Sequence, residues 1–289
     1  MDNLSLLLVL CIMISIHQGT TLEHEAIIGG ELARPGQFPY QVLLDSWYGF
    51  DCGGSIIGER HVVTAAHCLH DGSKFREDSY RIVVGISHVA SRSSRSKVME
   101  VQQVYVPKQF TGEPELVADI AILKLKKALK STTSRPSRKL ELPENKSYAG
   151  VKATISGFGW NKIRLHRPSP DGRFVEEGSS SGHLRFAEAD VMSLDECQKN
   201  YADPVYESQL CARIVQRDQN SPEGFCTGDS GSPLVYNGTT LIGIASFNEE
   251  GCVENITAGV YTNVSNYLGF IQQVIEDSPD LNVHTLIFS

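Results

Sequence analysis

Apolar residues along most of this chain fall in short runs rich in Val and Ile, broken by Gly, Pro, Asn or Ser. The runs predict strands at Gln41–Leu44, Gly54–Ile57, His61–Thr64, Arg81–Val84, Val98–Val106, Ile120–Leu125, Val151–Ser156, Leu184–Val191, Thr240–Phe247 and Gly259–Thr262. β-Branched side chains suit a pleated, half-buried surface, and a turn signal between successive runs suggests a sandwich or barrels. One stretch has the helical period instead. Tyr267, Phe270, Ile271, Val274 and Ile275 fall at i, i+3, i+4, i+7 and i+8, which places them on one helix face. Ser265 is placed to cap its start and Pro279 marks its exit. Beyond the helix, residues 277–289 read as a loose tail.

Three segments depart from this pattern. Leu4–Ile16 is almost wholly apolar but shorter than the roughly 20 residues a bilayer span needs. It reads as the core of a secretory signal peptide over residues 1–19, although no Lys or Arg precedes it. Residues 20–26 then form a short propeptide. The stretch from Lys124 to Lys146 is basic, with Ser, Thr and Pro interspersed, and reads as a solvated linker near 128–147 between two halves. Asn161–Gly182 is irregular and long for a loop in a compact domain, which points to function or mobility.

Composition narrows the class. With 41% hydrophobic and 21% charged residues, the chain has an ordinary globular balance. Its 26 Lys and Arg against 34 Asp and Glu give a net charge of −8, a poor match for nucleic-acid phosphates. No second segment is apolar enough to cross a membrane. Of seven cysteines, Cys11 lies in the apolar leader, leaving Cys52, Cys68, Cys197, Cys211, Cys226 and Cys252. An even set in an exported chain reads as disulfides, and no two stand close enough for a zinc knuckle. Six cysteines allow 15 pairings, among which spacing does not choose. Asn145, Asn237, Asn255 and Asn263 head Asn-x-Ser/Thr triplets, possible glycosylation sites that agree with export.

Three strings carry chemistry: Thr64-Ala-Ala-His67-Cys68, Ala118-Asp119-Ile-Ala-Ile-Leu and Gly228-Asp229-Ser230-Gly-Ser-Pro. A serine hydroxyl is a weak nucleophile, so a base must take its proton as it attacks a carbonyl, and histidine has a suitable pKa. A carboxylate on the other ring nitrogen holds the tautomer and stabilises the imidazolium. Backbone N–H groups must meet the oxyanion, and glycine lets them approach. Each residue alone is weak evidence, but the joint occurrence is highly specific. The order His, Asp, Ser differs from the Ser–Asp–His and Asp–His–Ser orders of other serine hydrolases. An α/β-hydrolase is further opposed by the lack of alternating strand–helix units, and by Ser232 where its Gly-x-Ser-x-Gly elbow needs glycine.

The chain therefore resembles secreted serine proteases of the chymotrypsin/trypsin family, from Ile27 to about Ile275. The resemblance implies two antiparallel six-stranded β-barrels with a C-terminal α-helix, over a protease domain of residues 27–276. It implies His67 as general base and acid, Asp119 as its orienting partner, Ser230 as nucleophile, and the N–H groups of Gly228 and Ser230 as the oxyanion hole. It implies the bridges Cys52–Cys68, Cys197–Cys211 and Cys226–Cys252. Ala153 and Tyr236 stand where a fourth bridge of some members would be, and Ile86–Met99 lacks the carboxylates of the members' calcium loop. No metal and no cofactor is expected. Ile27-Ile28-Gly29-Gly30 resembles the new N-terminus that activation exposes, whose amine would pair with Asp229. Residue 26 is Ala, so a trypsin-like activator would not make that cut.

Trypsin-like members carry an Asp at the pocket floor to receive Arg or Lys, and here that position is Gly224, beside Phe225. Ser246-Phe247-Asn248 aligns with the wall that pairs with substrate backbone; Asn248 would narrow the entrance, and Gly259 would leave the opposite wall open. The expectation is a secreted, monomeric serine endopeptidase made as a zymogen. It would prefer uncharged apolar residues before the cut, elastase-like or chymotrypsin-like rather than trypsin-like. Its partners would be protein or peptide substrates and protein inhibitors, with no nucleic acid or membrane. The alternative is a silent zymogen or a non-catalytic relative acting as a binding or regulatory protein.

Overall fold

The computed structural model describes residues 27, 30–45, 52–76, 80–89, 97–131, 137–160, 162–165, 176–180, 182–215, 225–226, 228–248, 258–278 and 282–288, with backbone alone for 162–165 and 176–179. The expected signal peptide and propeptide lie outside these residues, as do Gly224, Cys252 and Asn255.

The strands follow the chain in two groups. The first comprises β1 (Glu31–Leu32), β2 (Gln41–Asp45), β3 (Cys52–Ile56), β4 (His61–Thr64), β5 (Arg81–Val84), β6 (Lys97–Pro107) and β7 (Ala121–Leu125). The second comprises β8 (Lys152–Gly157), β9 (Lys162–Leu165), β10 (Glu176–Ser179), β11 (Arg185–Val191), β12 (Gln209–Ile214), β13 (Pro233–Tyr236), β14 (Thr240–Phe247) and β15 (Gly259–Asn263). Two short helices, α1 (Leu194–Gln198) and α2 (Leu268–Ile275), and a last strand, β16 (Val283–Ile287), complete the order.

Both groups close on themselves. The order β6-β5-β2-β3-β4-β7 is sealed by β6–β7 pairing, and β11-β12-β15-β14-β13-β8 by β11–β8 pairing. The molecule is thus two six-stranded antiparallel barrels with a short C-terminal helix, and closure removes the unpaired edges that an open sheet leaves. Val42, Val62, Ile82, Val104 and Leu123 fill the first barrel; Ile155, Ala189, Leu234, Ile242 and Tyr261 fill the second. Val63, Ile122, Val235, Ile244 and Ile271 join barrels and α2 in one buried cluster. The chain ends cross over: β1 adds to the second barrel through β11, and β16 adds to the first through β6.

Several sequence expectations change. The tail is not loose over Val283–Ile287, which pairs with Gln103–Pro107 while Leu286 and Phe288 pack on the first barrel's core. Ser265 does not cap the helix. Asn263 accepts from Ser265 N, a 3₁₀ turn spans Val264–Tyr267, and α2 continues from it. The basic linker is tethered, since Leu140 N donates to Ile56 O and Glu141 N to Thr239 O. The 161–182 stretch contains the β9–β10 hairpin. β12 and β13 escaped the strand reading because Gln209–Ile214 mixes polar and apolar residues and Pro233 opens a strand. Asn237 and Gly238 make the expected turn, at φ 50° and 73°, between β13 and β14.

Two disulfides follow the implied pairing, Cys52–Cys68 and Cys197–Cys211. Cys226 is also disulfide-bonded, and the Cys252 end of its implied bridge lies outside the described residues. Ala153 and Tyr236 face each other in the β8–β13 ladder, where a fourth bridge would sit.

Candidate active site

Each of the three chemical strings sits just beyond a regular element. β4 ends at Thr64, and His67 opens the 3₁₀ turn His67–Leu69. The chain reaches β7 through Ala118, held at φ 55°, and this left-handed residue turns Asp119 inward. Gly228 and Gly231, at φ 93° and 78°, flank Asp229 and Ser230 in a turn that a side chain at either glycine would strain. A Cβ on Gly231 would also lie 2.1 Å from Thr64 Oγ1, so the serine turn packs directly against the segment that leads to His67. Gly53 N donates to Ser230 O at 2.7 Å and fixes that turn from the first barrel.

Asp119 is fully buried, and both of its carboxylate oxygens are hydrogen-bonded. Oδ1 accepts from His67 N at 2.8 Å, and Oδ2 lies 2.7 Å from His67 Nδ1. Ser246 Oγ donates to Oδ2 at 2.5 Å, and Thr262 Oγ1 donates to the backbone oxygen at 2.6 Å. Burial opposes ionisation, but the imidazole and these donors hold the carboxyl below its usual range. His67 is its mirror. Burial favours the neutral ring, yet Asp119 outweighs it and raises His67 above 6.5, with a smaller contribution from Glu113. Among the described residues the His67 ring bonds Asp119, and Ser230 Oγ makes no hydrogen bond to it. Among the described residues the N–H groups of Gly228 and Ser230 donate to no other group.

Asp229 is buried in a cradle of glycines. A Cβ on Gly157 or Gly159 would meet its carboxyl at 2.0 and 2.5 Å. Gly159 N and Cys226 N donate to its two oxygens. Burial outweighs these donors and pushes the pKa up to about 6. Ile27, fully buried, belongs to the same apolar cluster as Phe225 and Tyr261.

Among the described residues expected at the pocket, the space beside Gly259 is occupied. Phe225 is buried, stacks edge-on to Tyr261 with centroids 5.2 Å apart, and lies where a Cβ on Gly259 would be, 1.9 Å from its ring. Gly259 therefore does not leave an open wall; the Phe225 ring takes that space. Asn248 Nδ2 donates to Phe225 O at 2.7 Å and ties one wall to the other. Ser246 points to Asp119, and Phe247 packs edge-on to Tyr201. Cys52, His67 and Cys68 also lie close enough to share a metal, but the two sulfurs are bonded to each other. Thr262, Gly53, Gly157, Gly159 and Tyr261 were not singled out from the sequence, because their roles depend on distant partners, 143 residues away for Thr262 and Asp119.

Two joined barrels with an Asp–His pair and a serine turn at their junction define the class as a serine hydrolase. The trypsin family model matches residues 27–271. Trypsin of Sus scrofa is 31% identical over 88% of this chain and 98% of its own, and trypsin of Xenopus laevis 30% over 89% and 93%. The structure of neuropsin, a serine protease expressed in the limbic system of mouse brain, superposes with a TM-score of 0.67 at 25% identity, over 85% of this chain and 98% of its own. The chain belongs to the trypsin family and is a serine endopeptidase, a hydrolase of protein substrates.

Proposed function

We propose that His67, Asp119 and Ser230 are the catalytic residues, that the chain acts after cleavage before Ile27, and that it prefers small uncharged residues before the cut. The pairing of His67 with the fully buried Asp119 carries the catalytic assignment. Ser230 Oγ attacks the scissile carbonyl carbon while its proton passes to His67 Nε2, and the oxyanion is met by the N–H groups of Gly228 and Ser230. The C–N bond breaks as His67 returns the proton to the leaving amine. A water deprotonated by His67 then attacks the acyl-enzyme and releases Ser230. Asp119 stays ionised throughout, holding Nδ1–H and stabilising the imidazolium.

Specificity follows from what is missing and what is filled. Gly224 offers no carboxylate to a basic side chain, and the Phe225 ring with the Asn248 tie leaves little depth. This favours small aliphatic residues, in an elastase-like manner, over the aromatic alternative. Activation follows from Asp229, a buried carboxyl with no cation against it among the described residues. A freed Ile27 amine would supply that charge. Secretion and glycosylation rest on the leader and the sequons. Asn145 and Asn237 are exposed, whereas Asn263 spends its side chain as a cap. Monomeric action on protein substrates, under control by protein inhibitors, completes the reading.

Protein engineered to begin at Ile27 and offered a mixed peptide library tests it. Cuts after Ala or Val, abolished by Ser230→Ala, are expected. Cuts after Lys or Arg would overturn the pocket reading. Absence of any cut by folded protein with a free amine would favour the silent binding relative.

A further inference from the structure

Two histidines from different barrels meet edge-on. His88 follows β5 in the first barrel, and His183 precedes β11 in the second. They oppose each other in an antiparallel bridge. The bonds that hold the bridge come from their neighbours: Val89 N donates to Gly182 O at 2.7 Å, and Leu184 N to Ser87 O at 2.9 Å. The two histidines are therefore a non-hydrogen-bonded pair, the kind that brings opposed side chains closest. Their ring centroids lie 4.1 Å apart at an interplanar angle of 73°. The backbone beneath is anchored, because Ile86 and Leu184 are buried with Leu43, Val83 and Phe158, and Val89 packs on that cluster. His88 Nε2 lies over Gly182, 3.6 Å from where a Cβ would be, and so on the side of the His183 strand. Burial, His88 and Arg185 lower the His183 pKa below 6.5, which leaves its ring neutral at pH 7 with one nitrogen lone pair. The Arg185 guanidinium donates to Gly30 O at 2.9 Å.

We propose that His88 and His183 together bind one divalent transition-metal ion, zinc or copper, and that the ion clips the two barrels to each other. Imidazole nitrogen suits these ions, whereas calcium and magnesium prefer oxygen. The sequence expectation of no metal rested on the lack of carboxylates in Ile86–Met99, and two imidazoles ask for a different ion. Among the described residues no third His, Cys or carboxylate joins the pair, so water completes the coordination. The bridge already supplies the close approach that a chelate needs, and little ordering remains to oppose binding. What is left is rotation of each ring about Cβ–Cγ, a broad torsion that can turn one nitrogen of each toward a shared ion.

The test is calorimetric titration of uncut Ser230→Ala protein with zinc chloride. Zinc is expected to bind, copper more tightly, and calcium not at all at the same concentrations. His88→Gln and His183→Gln should each weaken zinc by about tenfold or more, since losing a supporting group of a metal site already costs about that much. Both side chains reach solvent, so these variants should keep the metal-free thermal midpoint. At a hundredfold excess over its Kd, zinc should raise the midpoint of the parent by about 5 °C and leave that of either variant unchanged. Paramagnetic resonance of the copper complex should show two coupled imidazole nitrogens in the parent, a readout that needs no variant. Zinc affinity unaltered by both substitutions, or lost only in His67→Gln, would overturn the proposal. Binding with no rise in the midpoint would overturn the clip.

Discussion

Asp119 keeps a full charge where no water reaches it, and that requirement shapes its surroundings. Three donors satisfy it: His67 N, the His67 ring and Ser246 Oγ. Loss of the charge should cost far more than loss of a contact. Asp119→Asn keeps the shape but favours the wrong ring tautomer, and should lower kcat by about 10⁴. The rate should also fall in acid as His67 protonates. Because Asp119 raises that pKa, the acid limb of kcat/KM should be half-complete above pH 6.5. A midpoint clearly below 6.5 would contradict the Asp119–His67 coupling. At this scale the sequence is informative wherever a role is local. His67, Asp119 and Ser230 each sit in a short recognisable string. Thr262 and Gly53 carry no such string, since what they do depends on strands brought together from elsewhere.

Elements show the opposite balance. Short apolar runs mark strands buried on both faces, such as β2 and β4, because their central residues, Val42–Leu44 and Val62–Val63, serve apolar packing. β16 gives no such signal. Val-His-Thr-Leu-Ile is exposed along much of its length and becomes a strand because β6 offers it an unpaired flank. Phe288 stacks edge-on to Tyr80, and His284 lies against Phe75, in the segment that follows His67. Ending the chain at Ser278 removes this strand, the partly buried Leu286 and Phe288 and their cover over β6. Two half-buried apolar side chains should contribute about 2 kcal/mol, so thermal unfolding should move down by about 4–8 °C. An unchanged midpoint would mean that the strand adds nothing to the barrel. A newly bared β6 flank should also favour self-association, measurable by light scattering.

At the scale of the whole molecule, the second barrel buries a carboxyl with no cation against it among the described residues. The Asp229 pKa stands at about 6 when folded, against 3.8 as the ordinary value. Its proton thus stabilises the uncut chain fully below pH 3.8, and that contribution is lost as pH rises through about 6. Two pKa units correspond to about 3 kcal/mol. Urea unfolding of uncut Ser230→Ala protein should therefore lose about that much stability between pH 4 and pH 7, relative to the same protein carrying Asp229→Asn. After cleavage before Ile27 the new amine should lower the Asp229 pKa and reverse the comparison. Identical pH profiles for cut and uncut protein would remove Asp229 from activation.

By itself the sequence determined the strand-rich class, the amphipathic C-terminal helix, the even cysteine set and the three strings that carry His67, Asp119 and Ser230. Periodicity and short motifs are properties of neighbours along the chain, and burial or chemistry at one residue reads directly from them. The motif resemblance already implied two barrels; only the tertiary structure decided which strands pair to close them, that the ends cross between them, and that Phe225 occupies the space beside Gly259. It also decided that His88 and His183 face each other across one bridge. These depend on distances between residues far apart in the chain, which packing sets and sequence order does not.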